Sequence, residues 1–203
     1  RANRKIGLGV MGFADLLFLL KIPYNSKQAL QIGEQLIQFI GQEAREKSME
    51  LGKERGSFAN FQKSTWKEKY PAMRNATCIT IAPTGTISIL AGCSSGIEPV
   101  FALAFLRRVM EGRQLSEMNW VFKRELIRRD LYSEELIHQI SKTGNIQQTK
   151  LPADLKKVFV TSLDVTPEFH VKMQAAFQRH VDNAVSKTVN LPKNSSRSDV
   201  KRI

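Results

Sequence analysis

The stretch "RNATCITIAPTGTISILAGCSSGIEPVFAL", residues 74–103, carries most of what this sequence says about its fold. "CITIA" (78–82) is short, apolar and β-branched, which predicts a buried strand. Pro83 ends it. Thr84, Gly85, Thr86 and Ser88 then put hydroxyls and a permissive glycine into one tight turn, followed by the apolar run "ISILAG". Amides freed at a strand-to-helix turn point outward together, and a helix start adds the positive end of its dipole. Gly85 would let a ligand approach the backbone. On residues alone two readings stand: a phosphate cradle, or a plain turn in which Thr and Ser act as caps. A second polar turn follows at Ser94, Ser95 and Gly96. Glu98 sits beside it between Ile97 and Pro99, as a buried functional acid or as the partner of an arginine.

Outward from this stretch, helices alternate with short apolar segments. Residues 6–21 read as an apolar helix broken by "PYNS". Ser26 is a good N-cap for a long amphipathic helix from Lys27 to about Arg55, with Leu30, Leu36, Ile37, Ile40, Ala44 and Leu51 as its apolar stripe and Gly56 as its stop. "STWKEKY" (64–70) predicts a short capped helix, and "PVFALAFLRRV" (99–109) a strand or buried segment. Further helices are expected over 116–130, 133–142 and 166–186, the last with Thr166 as cap and Pro167 at its first position. Strands are expected at "KVFVTS" (157–162) and "KTVNLP" (187–192), and one more helix begins in "SSRSDVKRI". The pattern is α/β with parallel, buried strands, read as one domain over 1–203.

The bulk numbers exclude several classes. Two cysteines, Cys78 and Cys93, make neither a disulfide framework nor a four-ligand zinc site, and a reducing, cytoplasmic setting is expected. No apolar run is long enough to span a membrane, and no signal peptide is visible. His138, His170 and His180 lack metal spacing; the latter two lie ten apart on the helix expected there and project from different faces. The formal net charge is +12, but the basic residues are scattered (Arg107, Arg108, Lys123, Arg124, Arg128, Arg129) and thicken only towards Lys201 and Arg202. A solvated surface explains this better than a nucleic-acid face. The chain begins with Arg1, which suggests a piece of a longer protein.

Near the start, "KIGLGVMGFADLL" (5–17) spells G-x-G-x-x-G with Gly7, Gly9 and Gly12. A dinucleotide site needs a strand before the first glycine and an acid at the end of a second strand. The polar "RANRKI" precedes Gly7, and the candidate acid, Glu34, falls inside the long helix. The glycines read instead as a close-packing surface on a helix.

"RKIGLGVMGFADLL", the 74–103 stretch and "HVKMQAAFQRHVDNAVSKTVNLP" together resemble the catalytic large chain of ribonucleotide reductases, in its adenosylcobalamin-dependent (class II) form. The resemblance covers Arg4 to about Val200. It implies the C-terminal part of a ten-stranded α/β barrel, with nucleotide reduction by thiyl-radical chemistry. It implies adenosylcobalamin as cofactor, a ribonucleoside di- or triphosphate as substrate, the remainder of the reductase chain as partner and a thioredoxin-type reductant. The thiyl cysteine and the redox pair of that family belong upstream of "RKIGLG", so no catalytic residue and no metal ligand is expected here, and Cys78 and Cys93 match neither. The family's substrate-phosphate turn does match: Pro83, Thr84, Gly85, Thr86 and Ile87, with Ser88 adjacent. The alternatives are a basic nucleic-acid-binding module, for which nucleic acid would be the partner, and a piece of an oxygen-dependent, iron-using reductase.

Overall fold

The structure, a computed structural model, describes residues 2–108 and 114–201, with side chains described over 2–105 and 117–201. Val109 of the expected 99–109 strand, Arg202 of the basic tail and the side chains of Arg107 and Arg108 lie outside the described residues.

Three extended segments lie side by side and parallel at the centre. Leu8 bridges Ile79, and Ile81 bridges Val185. Leu8 donates to Cys78 O (2.7 Å) and Thr80 to Leu8 O (3.0 Å); on the other flank Ser186 donates to Ile81 O (2.9 Å). The expected segment 78–82 is therefore the middle member, with Ile79 and Ile81 buried. Its partners are not where periodicity put them.

Residues 6–9 are extended, and helix α1 covers only Phe13–Leu19. The glycines explain the difference. Gly12 caps α1 at φ 78°, a left-handed geometry that glycine adopts without a Cβ clash. A Cβ on Gly7 would lie 2.1 Å from Thr80 Cγ2, and one on Gly9 2.3 Å from Thr80 O. The motif lets one extended segment press against another; it is a packing surface, but not on a helix.

Helix α2, Lys27–Arg55, forms as its caps predict: the Ser26 side chain accepts from Ala29 N, and Gly56 ends the helix at φ 79°. Its buried face is Ala29, Gly33, Ile37, Gly41, Ser48 and Gly52, while Leu30, Leu36, Ile40 and Ala44 are only partly buried against the core. Small residues bring neighbours close. A Cβ on Gly33 would sit 2.6 Å from the Phe177 ring, and one on Gly52 2.8 Å from Met73 N. The 64–70 segment is a 3-10 turn, Thr65–Glu68, with the Trp66 indole donating to Ala76 O (2.8 Å).

Helix α3 is Gly85–Ala91. Strands β1 (Ala104–Arg108) and β2 (Gln114–Met118) pair antiparallel, Ala104 opposite Met118, so the ladder within the expected α/β pattern is a hairpin. β2 takes up Ser116, and helix α4 starts later than expected, at Trp120–Arg128, because the Asn119 side chain caps it by accepting from Val121 N and Phe122 N. Helix α5, Glu134–Thr143, is capped by Ser133.

The expected strand 157–162 is absent. Helix α6, Ala153–Val158, runs into it. A 3-10 turn, Ser162–Asp164, then closes with a capping box between Thr161 and Asp164. Asp164 Oδ2 takes the Thr161 amide (2.7 Å) that a ladder would have used. Helix α7, Pro167–Gln178, stops short of the expected 186 because the Gln178 side chain binds Asn183 O and Val185 N. His180 therefore lies off the helix that carries His170. The 187–192 segment forms no ladder: the Thr188 amide goes to Glu98 Oε1 (2.7 Å) and not to a neighbouring strand. Helix α8, Arg197–Lys201, ends the described chain.

The core joins α1, α2, α4 and α7 to the extended segments through Phe13, Leu17, Tyr24, Ile37, Met73, Phe122 and Phe177, all buried. Phe13 meets Phe177 edge-on, with ring centroids 5.2 Å apart. No helix among the described residues is long and apolar enough to cross a membrane.

Candidate functional site

The middle segment ends at Ala82, and the chain turns into α3 through Pro83 and Thr84. Thr84 is the N-cap residue at φ 54°, ψ 18°, and makes no side-chain bond to its own helix. Its hydroxyl faces the second turn instead: Oγ1 accepts from Gly96 N (2.8 Å) and lies 3.2 Å from Ser95 Oγ. Ser95 Oγ in turn donates to Pro83 O (2.7 Å). Ser88 is buried and donates to Gly85 O (3.1 Å).

The six expected residues thus divide by what they face. Pro83, Thr84 and Ser88 are occupied in shaping the turn. Gly85, Thr86 and Ile87 are exposed, nothing lies within 4 Å of a Cβ built on Gly85, and the Thr86 hydroxyl has no protein partner among the described residues. The first amides of a helix have no intrahelical acceptor. Here they open outward beside a free hydroxyl, an arrangement suited to an anion with several oxygens.

The turn at 94–98 is the hub behind this surface. The Ser94 amide donates to Asp15 Oδ2 (2.6 Å), and Asn119 Nδ2 donates to Asp15 Oδ1 (2.7 Å). The Tyr24 hydroxyl donates to Ile97 O (2.7 Å). Burial, and secondarily the Glu98 charge, hold that phenol well above its ordinary range.

Glu98 pairs with Lys187, not with an arginine. Lys187 Nζ reaches Glu98 Oε2 at 2.5 Å, His170 Nδ1 at 2.7 Å and Thr188 O at 2.6 Å. An ammonium has only donors, so Nδ1 accepts and the imidazole proton sits on Nε2, which donates to Ser162 O (3.1 Å). Burial, and then the Lys187 charge, push the His170 pKa down. Burial also lowers that of Lys187, against the pull of Glu98. The sequence marked Glu98 and His170 singly; their link through Lys187, 89 residues from Glu98, has no local signal.

Beside the hub opens a cleft of about 1020 Å³, with Asp15, Ser94, Glu98, Asn119, Ser162 and Thr188 among its polar lining and Val100, Phe101, Phe105 and Trp120 among its apolar lining. Cys93 also lines it. Burial raises the pKa of both Cys78 and Cys93, so neither is poised as a thiolate. No group of three or more metal-ligating side chains occurs among the described residues.

The family model described as "Ribonucleotide reductase, barrel domain" matches residues 1–72 and 68–203. A vitamin B12-dependent ribonucleoside-diphosphate reductase of Thermoplasma acidophilum is 51% identical over 202 residues, covering 100% of this chain and 26% of the relative. One of Mycobacterium tuberculosis is 47% identical over 204 residues, covering 100% of this chain and 29% of the relative. This chain therefore spans between 26% and 29% of the length of these curated relatives. Among solved structures, the alpha subunit of the class Id ribonucleotide reductase of Actinobacillus ureae superposes with a TM-score of 0.83 at 24% identity, over 98% of this chain and 36% of that one. That likeness speaks for the fold.

Proposed function

The chain belongs to the ribonucleotide reductase barrel-domain family, and on that premise we propose that it is the C-terminal barrel segment of a vitamin B12-dependent ribonucleoside diphosphate reductase, holding the phosphates of the substrate at Pro83–Ser88. The observation that carries this reading is the division of that turn: Thr84 is locked inward by Gly96 and Ser95, while Gly85, Thr86 and Ile87 are exposed. The amides of Gly85, Thr86 and Ile87 and the Thr86 hydroxyl grip phosphate oxygens; Pro83, Thr84 and Ser88 set their geometry. Gripping the remote phosphates fixes the ribose against the radical-bearing cysteine, which converts binding into orientation at the reacting carbon.

In the complete reductase, adenosylcobalamin supplies the radical when bound. Among the described residues no histidine stands free beside the cleft to ligate a cobalt. His170 is spent on Lys187 and Ser162, His180 faces Glu34, and His138 is exposed and does not line the cleft. On this reading the cofactor, the thiyl cysteine and the cysteines that draw on a thioredoxin-type reductant are held by other parts of the chain, in the cytoplasm. This segment supplies no catalytic residue.

The test is Thr84→Ala with Thr86→Ala in the complete reductase. Hydrogen bonds to charged groups are worth about 1.5–3 kcal/mol each, so KM for the nucleotide is expected to rise about 10- to 100-fold, with a smaller fall in kcat. Unchanged kinetics would sink the phosphate role.

A further inference from the structure

We infer that Lys187 is a positioning residue for the phosphate turn, acting through Glu98 and the 94–98 hub. The inference rests on the reading of Pro83–Ser88 as that turn. The Lys187 side chain is 1% exposed and its Glu98 partner 20%. Its ammonium can make three hydrogen bonds, and all are used, on Glu98, His170 and Thr188 O. Glu98 uses its second oxygen on the Thr188 amide, so the carboxylate is held at both ends.

From there the line is short. The Glu98 amide donates to Ser95 O (2.9 Å) and closes the turn. Ser95 Oγ holds Pro83 O, and the Gly96 amide holds Thr84 Oγ1. Thr84 sets the direction in which the Gly85 and Thr86 amides point. A buried ion pair is a poor stabiliser compared with apolar packing, but it fixes two segments in one register. Here the segments are 94–98, which carries the phosphate turn, and 187–190, whose Thr188 and Asn190 line the cleft.

A merely structural role predicts a different result from a positioning one. In the complete reductase, Lys187→Met is expected to raise KM about tenfold or more while kcat stays within about threefold. Glu98→Gln should do the same. The double variant Lys187→Met with Glu98→Gln should regain part of the loss, because no unpaired charge is left buried. Arg45→Met is the control: it breaks a part-buried pair, Arg45–Asp182, that does not reach the turn, and it should lower Tm without moving KM. A Lys187→Met enzyme with a lower Tm and a KM within about twofold of the parent overturns the inference and leaves the phosphate turn standing. Unchanged KM in the Thr84→Ala/Thr86→Ala enzyme sinks both. Where Lys187→Met does not fold, Glu98→Gln, which keeps an acceptor at the same place, carries the same expectation.

Discussion

Two ion pairs flank the central extended segments, and they are built differently. At one end Arg45 pairs with Asp182 at 2.9 Å, with side chains 19% and 7% exposed. Asp182 Oδ2 also takes the amides of Cys78 and Ile79, at 2.7 and 3.1 Å, and Arg45 also donates to His180 O (3.0 Å). This pair closes the open end of the backbone and ties α2 to it. At the other end Lys187 and Glu98 bind no amide of the middle segment. They bind the hub turn, a histidine and the wall of a cleft. The contrast teaches that one pair serves the scaffold and the other serves what the scaffold displays.

The largest test of that division is Asp182→Ala. It strands the Arg45 guanidinium and two amides; removing one partner of a fully buried pair costs about 3–5 kcal/mol, which is the upper bound for this part-buried one. Denaturant unfolding should show that loss, and the nucleotide KM of whatever folds should stay at the parent value. A shift in KM would erase the distinction between the ends.

The next test sharpens the scaffold side. Gly9→Ala would meet the Thr80 carbonyl at 2.3 Å, whereas Gly7→Ala would meet the Thr80 methyl at 2.1 Å. Overpacking of this kind costs about 1–3 kcal/mol. Adding Thr80→Ser, which removes the methyl and keeps the hydroxyl donor to Ala184 O, should recover part of the melting temperature of Gly7→Ala, whose remaining contact is Thr80 Cβ at 3.0 Å, and leave that of Gly9→Ala depressed. Equal rescue of both would mean that the close approach is not where the glycines put it.

The smallest effect is acid sensitivity, and it belongs to the Lys187 end. His170 is held below its ordinary value by burial and by Lys187. The unfolded chain therefore takes up a proton near the ordinary histidine pKa of about 6.5 that the folded chain refuses. Stability should be at its full value above a pH of about 6.5 and fall as pH drops from there towards the depressed folded value. His170→Gln should flatten that slope in melting curves. Glu125, held at about 2 by Arg128 and then Arg129, contributes above the ordinary carboxylate range and is lost only at lower pH, so the two windows separate. A slope that survives His170→Gln would move the sensitivity elsewhere.

Much of the helical frame was legible in the sequence, because caps are local: Ser26, Gly56, Ser133 and Pro167 each mark a real boundary. The strands were legible only at 78–82. Val158, Phe159 and Val160 carry strand propensity, yet Asp164, a few residues on, takes the amide that a ladder needs. In 187–192 the Glu98 side chain, 90 residues away from Thr188, does the same. Gly7 and Gly9 announced a close contact but not its partner, Thr80, some 70 residues downstream. From its residue types the candidate turn could be read as an anion cradle or as a plain capped turn, and the residues alone left both standing. What could not be read was that the Thr84 hydroxyl points inward, since its partner, Gly96 N, is set by the folded chain.

Thr84 remains. A β-branched residue at φ 54° sits where the backbone disfavours it, at a cost of about 1–3 kcal/mol that the surroundings must hold in place. Replacing it with glycine would relieve that strain, because glycine adopts the conformation freely. Doing so would delete the Oγ1 that accepts from Gly96. On the proposed reading of the turn, relief of backbone strain and the geometry that would present a phosphate site compete at one position, and an enrichment scored only on heat survival would not protect that geometry.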